Sequence, residues 1–282
     1  MTLAYRRVGA GEPLLLLHGL GSQWQVWEPV LALLSRERDV AAVDLPGFGE
    51  SPPFEPDVAP TPDRIARSVA ALLDELGWKD PHVAGNSLGG WVALELARMG
   101  RARSVVAISP AGLWSSGELR FARSSLRASR WVARALRPVL PAAMATAAGR
   151  TLLLSQMCGR PWRIPAGAAA TALKGFATCP GFTATFEAVS QPDGFRHGDQ
   201  IACPVTVAWG TRDRILLPRQ LRRVALDLPA AHIVSLSCRW PKYRSPRWTL
   251  VASQASLCSN VPPTRSAGHS ARCAKGPHRP RS

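Results

Sequence analysis

The run Gly85-Asn86-Ser87-Leu88-Gly89-Gly90 sets one hydroxyl between glycines, behind a short apolar stretch and ahead of an amphipathic one. A strand that turns straight into a helix leaves no room for β-carbons on either side of the bend, and the residue at its apex stands strained and exposed. Gly-x-Ser-x-Gly at such a turn presents a serine as a nucleophile; the plainer reading is a structural serine in a helix-starting turn. A serine hydroxyl attacks poorly at neutral pH and needs a neighbouring base. The oxyanion created by its attack needs donors. The backbone N–H of Leu88 would sit at a helix N-terminus, where N–H groups lack partners and the dipole is positive. The N–H of Leu20 would come from the turn after His18-Gly19. Each such donor can lower a barrier by ~3–4 kcal/mol.

Three further segments could hold these groups. Pro13-Leu14-Leu15-Leu16-Leu17 runs into the Gly-rich turn His18-Gly19-Leu20-Gly21, and four consecutive leucines suit a parallel strand covered on both faces. Val40-Ala41-Ala42-Val43 leads into Asp44-Leu45-Pro46-Gly47-Phe48-Gly49, a second strand with a Pro/Gly turn. Pro204 to Asp213 reads as a strand that delivers an aspartate at its C-terminal end. Together with the Ser87 turn, and in this order, these segments resemble the α/β-hydrolase family over residues 3 to 236.

The resemblance implies an α/β fold: a mostly parallel central sheet flanked by helices, with an inserted helical cap. It implies a serine hydrolase of the esterase, lipase or carbon–carbon hydrolase kind, acting on a small carboxylic ester or related acyl compound, with no cofactor and no metal. Ser87 would be the nucleophile, the Leu20 and Leu88 amides the oxyanion hole, and Asp213 the acid that orients an imidazole. His18 falls in a structural slot of the oxyanion loop. Asp44 reads as a turn residue, and Trp91 as core. Carbon–carbon hydrolases of ring-cleavage products, whose substrates are anionic, often carry an elbow like Gly85-Asn86-Ser87 and are an alternative.

The expected histidine is the point of departure. The family pattern puts it at about position 241, where Pro241 stands, and no histidine occurs between His232 and His269. His82 and His232 fall at the N-terminal ends of their strands, whereas catalytic groups in open α/β sheets gather at the other edge, roughly 13 Å away over four strand residues. His197 belongs to a loop. His269 and His278 lie in a Pro/Ser/Arg-rich stretch without a packing pattern. The gap supports another alternative, a catalytically silent hydrolase-like binding protein.

Strands alternate with helices over the first part of the chain, which implies a parallel sheet covered on both faces. The reading predicts an edge strand over 3–8, helices over 26–38, 62–76 and 88–99, and strands over 81–85 and 104–109. Residues 1–112 and 201–236 form the core, and 113–200, helical and broken by prolines, the cap. The net charge of +16 is uneven: residues 119–186 hold ten Lys/Arg and no acid, and 237–282 hold nine and none. Arg120, Arg123, Arg127, Arg130, Arg134 and Arg137 recur at spacings of three and four, one helical face. That stripe reads as a solvated outer face, or as a lid that attracts an anionic substrate or an acidic membrane surface. It carries no motif for specific nucleic acid binding.

From Ser237 onward the periodicity stops and acids vanish. Two readings stay open: a shift of reading frame near codon 237, or a basic, disordered tail that binds an anionic partner. No stretch approaches the ~18 apolar residues of a membrane span, the N-terminus lacks a signal-peptide pattern, and the six cysteines show no Cys-x-x-Cys spacing. These features point to a cytoplasmic protein with free thiols; the resemblance implies a small-molecule substrate, apolar or anionic.

Overall fold

The computed structural model describes residues 1–236 of the 282-residue chain; Pro241, His269, His278 and the tail 237–282 lie outside the described residues. Seven strands form one sheet: β1 (Tyr5–Val8), β2 (Glu12–Leu17), β3 (Arg38–Val43), β4 (His82–Asn86), β5 (Ser104–Ile108), β6 (Val205–Gly210) and β7 (His232–Leu236). Their order is β1-β3-β2-β4-β5-β6-β7, with β1 antiparallel to β3 and every other pairing parallel.

The leucine run explains why this sheet needs cover on two sides. Successive strand residues point to opposite faces. Leu14 and Leu16 join Val40, Ala42 and Val106 in one core, under Trp27, Val30 and Leu31. Leu15 and Leu17 join Ala41, Val43 and Ala107 in the other, under Ile65, Val69 and Leu72. Helix α1 (Glu28–Leu34) covers the first face; α2 (Pro62–Glu75) and α3 (Leu88–Arg98) cover the second. Burying each such leucine stabilises the fold by about 1.5–3 kcal/mol.

Local signals set the ends of α2. The Thr61 hydroxyl accepts from the Arg64 N–H, Pro62 opens the helix, and Gly77 stops it at φ +71°. Helix α1 departs from expectation: it ends at Leu34 rather than Arg38. Arg38 instead opens β3 opposite Glu12, and the two side chains form an ion pair. Only the face of Trp27, Val30, Leu31 and Leu34 is buried; beyond Leu34 the polar run Ser35-Arg36-Glu37 offers no apolar stripe to continue the helix.

Between β5 and β6 every regular element is helical. Helices α4 (Ser116–Ala135), α5 (Leu140–Ala145), α6 (Ala147–Leu154), α7 (Ala166–Thr178) and α8 (Phe182–Val189) are separated by short breaks, with Pro138, Pro161, Pro165 and Pro180 in or beside them. Helix α4 starts on a capping box: the Ser115 hydroxyl accepts from the Glu118 N–H while the Glu118 carboxylate accepts from the Ser115 N–H. The last helix, α9 (Leu221–Asp227), precedes β7. No helix among the described residues is long and apolar enough to cross a membrane.

Candidate active site

The C-terminal edge of β4 delivers Ser87 into α3 through a bend with almost no room. A β-carbon on Gly85 would overlap the Gly89 carbonyl, and one on Gly89 would overlap the Leu17 carbonyl at the end of β2. Ser87 takes φ 53° and ψ −113°, a conformation that costs a non-glycine residue of order 1–3 kcal/mol. Three backbone bonds hold it there. Its N–H donates to the Ile108 carbonyl at 2.9 Å, and its carbonyl accepts from Trp91 at 3.1 Å and Ala111 at 3.0 Å. The side chain is half-buried and lines a narrow cleft with a cavity volume of about 40 Å³.

Leu20 and Leu88 line the same cleft. As the first residue of α3, Leu88 has no intrahelical acceptor for its N–H. Gly19 lies against the elbow: a β-carbon there would stand 3.1 Å from Asn86 Oδ1 and 3.3 Å from Ser87 Cβ. The Gly19 carbonyl accepts from the Ser22 N–H at 3.1 Å and from His18 Nδ1 at 2.8 Å. A trans Gly19–Leu20 peptide then sends the Leu20 N–H the opposite way.

His18 is wholly committed to this loop. Its Nε2 accepts from the Leu45 N–H at 3.0 Å, so the proton sits on Nδ1, which donates to Gly19. The ring is fully buried, edge-on to Phe48, and burial lowers its pKa to about 4. At neutral pH the Asp44 carboxylate, 4.0 Å away, therefore faces a neutral ring. Asp44 accepts from the Trp24 N–H at 2.6 Å and the Glu50 N–H at 3.0 Å, tying the two loops together. Burial raises its pKa.

Asp213 follows β6 in a turn closed by its own N–H to the Gly210 carbonyl at 3.1 Å. Its Oδ1 accepts from the Ile215 N–H at 3.0 Å and the Leu216 N–H at 2.8 Å. Burial raises its pKa, against those two N–H groups and the Ser109 hydroxyl, which lower it. Ile215 and Leu216 line the cleft, and Trp209 Nε1 anchors their loop by donating to the Leu216 carbonyl at 2.9 Å. Ser109, at φ 40° just past β5, was not among the residues the sequence singled out. Its only signal was its place at the end of an apolar strand before Pro110.

The remaining described histidines lie elsewhere. His82 opens β4 at the opposite edge, with Nδ1 2.7 Å from Ser104 Oγ and Nε2 3.1 Å from Glu12 Oε1. His232 opens β7 beside Thr206, also at that edge. His197 is exposed, next to a short 3₁₀ turn. Trp91 is buried, bonded through Nε1 to Glu95 and packed edge-on to Trp114. Among the described residues no cluster of His, Cys, Asp and Glu is placed to hold a metal ion.

The arginine stripe is a solvated face at four of its six positions and departs from that reading at Arg123 and Arg130. Arg130 is buried, its guanidinium 3.9 Å from the centre of the Phe182 ring, with Nη2 donating to the Cys179 carbonyl at 3.2 Å. Arg127 lies over Phe186 at 5.4 Å, and Arg123 lines the cleft. Arg120, Arg127, Arg134 and Arg137 remain exposed. Phe182 and Phe186 of α8 meet the middle of the stripe, which buries Arg130 and partly covers Arg123.

The profile of the family described as alpha/beta hydrolase fold matches residues 12–238. The chain belongs to this family. Epoxide hydrolase EphH of Mycobacterium tuberculosis is 63% identical over 51 residues, 18% of this chain and 24% of that protein. A pimeloyl-[acyl-carrier protein] methyl ester esterase of Aeromonas hydrophila is 41% identical over 97 residues, 34% of this chain and 36% of that protein. The matches thus span well under half the length of these relatives. Among solved structures, the enol-lactonase of Burkholderia xenovorans LB400 superposes with a TM-score of 0.65 at 21% identity, covering 92% of this chain and 94% of that one. It shares the fold.

Proposed function

We propose that this alpha/beta hydrolase family member is a serine hydrolase of small carboxylic esters or related acyl compounds. The observation that carries the reading is the Ser87 elbow: a hydroxyl at positive φ, pinned by three backbone bonds, half-exposed to a cleft that Leu20 and Leu88 also line. Ser87 Oγ attacks the ester carbonyl, its proton passes through a base to the departing alcohol, and water then releases the acid. The Leu20 and Leu88 amides receive the oxyanion, and Asp213 orients the base. Helices of residues 113–200 act as a cap, since α4 and α8 supply the cleft's outer wall. The relatives named as an esterase and an enol-lactonase support acyl chemistry in this family.

One observation favours a second reading. Among the described residues no imidazole at this sheet edge is free to act: His18 has both nitrogens engaged, and the family's expected position is Pro241. A hydrolase that lacks one triad member retains only ~10³–10⁴-fold catalysis over water. The second reading is a hydrolase-like protein that binds acyl ligands without turning them over.

A fluorophosphonate probe with mass-spectrometric mapping, run on the full chain beside p-nitrophenyl acetate turnover, separates the two. Labelling of Ser87, abolished in Ser87→Ala together with turnover, is the expected result. No labelling of a folded protein would remove the hydrolase reading.

A further inference from the structure

The cleft beside Ser87 is apolar with one charged exception. Leu119, Ala122 and Leu126 of α4 line it at helical spacing, and Arg123 projects from the same face. Among the described residues that line the cleft, Arg123 alone carries a charge.

Among the described residues no acid pairs with Arg123, and Glu187 of the facing helix α8 forms no ion pair with it. Residues 119–186 contain no Asp or Glu. The nearest acid along α4, Glu118, is taken: its carboxylate pairs with Arg219 at 2.7 Å and accepts from the Ser115 N–H at 2.8 Å. The polar contact of Arg123 among the described residues is one long bond, Nη1 to the Ser190 carbonyl at 3.4 Å. A guanidinium has five N–H donors, so most of its capacity is unspent. Arg127 and Arg130 keep the same helix positive without entering the cleft wall. A lone cation on an apolar, half-buried wall is costly unless an anion meets it. A planar guanidinium meets a carboxylate through two parallel bonds.

We infer that Arg123 binds a carboxylate at the far end of the substrate, so that the preferred ligand is an acyl ester with a second, free carboxylate. The assignment of the cleaved bond rests on the Ser87 reading above; the anion contact does not. The acyl chain lies along the Leu119 and Leu126 wall, and Arg123 selects its length and charge.

Two measurements test this on the full chain. The first is the Kd for monomethyl glutarate by calorimetry, for the wild type, Arg123→Met, Arg123→Gln and Arg134→Met. The second is the kcat/KM ratio of the p-nitrophenyl monoester of glutaric acid to p-nitrophenyl pentanoate. The expected results are saturable binding weakened at least tenfold in both Arg123 variants and not in Arg134→Met, and a kcat/KM ratio that falls by a similar factor. Equal Kd values in wild type and Arg123→Met, or no wild-type binding at millimolar ligand, overturn the inference. Arg123-dependent binding without any turnover sinks the hydrolase reading and leaves the carboxylate site standing. Lowered thermal stability of the Arg123 variants at unchanged Kd would make Arg123 a brace to Ser190 and overturn the inference.

Discussion

Ser87 and Asp213 leave the same edge of the sheet from strands that do not touch. Ser87 follows β4, Asp213 follows β6, and β5 lies between them, paired to both. Two strand spacings are roughly 10 Å, too far for a carboxylate to act on the hydroxyl directly, so any coupling between them needs a bridging group. Asp213→Asn is expected to cut p-nitrophenyl acetate turnover on the order of 10³-fold. A steady-state rate within tenfold of the wild type would show that Asp213 orients no base in the reaction.

The elbow depends on Gly89 as much as on the serine. A methyl group there meets the Leu17 carbonyl, which belongs to the central strand and cannot withdraw. Gly89→Ala is expected to cost about 1–3 kcal/mol of stability, the usual penalty for overpacking, and to lose fluorophosphonate labelling of Ser87. Urea titration and the labelling assay check both. Full labelling at unchanged stability would contradict the tight-turn account.

His18 makes the fold acid-sensitive. Its folded pKa is lowered to about 4 by burial, against an ordinary 6.5. The unfolded chain therefore binds a proton between those values while the native ring stays neutral. The His18 contribution is complete above pH 6.5 and is lost as pH falls toward 4, by about 3 kcal/mol in all. The raised pKa values of Asp44 and Asp213 act in the opposite sense as acid is added. Urea unfolding of the wild type and His18→Gln at pH 5 and pH 7.5 isolates the ring: the variant's stability difference between the two should be smaller. Equal differences would place the ring in a solvated site.

Arg130 is the test of what a buried cation contributes. It rests on Phe182 and the Cys179 carbonyl, with Nε unpartnered and burial lowering its pKa. Replacing a buried charge by an apolar side chain of similar volume is often neutral or stabilising by about 1–4 kcal/mol. Arg130→Met is accordingly expected to match or exceed wild-type stability in chemical denaturation, whereas Arg130→Ala leaves a cavity and loses about 2–5 kcal/mol. A marked loss with methionine would show that the guanidinium itself holds α4 to α8.

Much of this fold was legible locally. Leu14 to Leu17 declared a doubly covered strand because all four residues are apolar, and period two assigned them alternately to two faces. Thr61-Pro62 and Gly77 bounded α2 through capping chemistry alone. The spacing of Gly85, Ser87 and Gly89 identified the bend, since only that combination closes it. Arg38 was misread because a charged residue at the start of a strand looks like the polar end of the helix before it; its pairing with Glu12 is a contact across sequence.

The sequence alone determined which residues share a strand face, a helix face or a turn, because those relations depend on backbone periods and on the presence or absence of a β-carbon. Tertiary structure alone decided which of them meet water, a ring or one another. It turned three arginines of one stripe to different ends, Arg130 under Phe182, Arg127 over Phe186 and Arg123 into the cleft. It also closed His18 into a neutral, fully bonded ring. Solvation and pairing depend on what packs from elsewhere in the chain, and no local period carries that information.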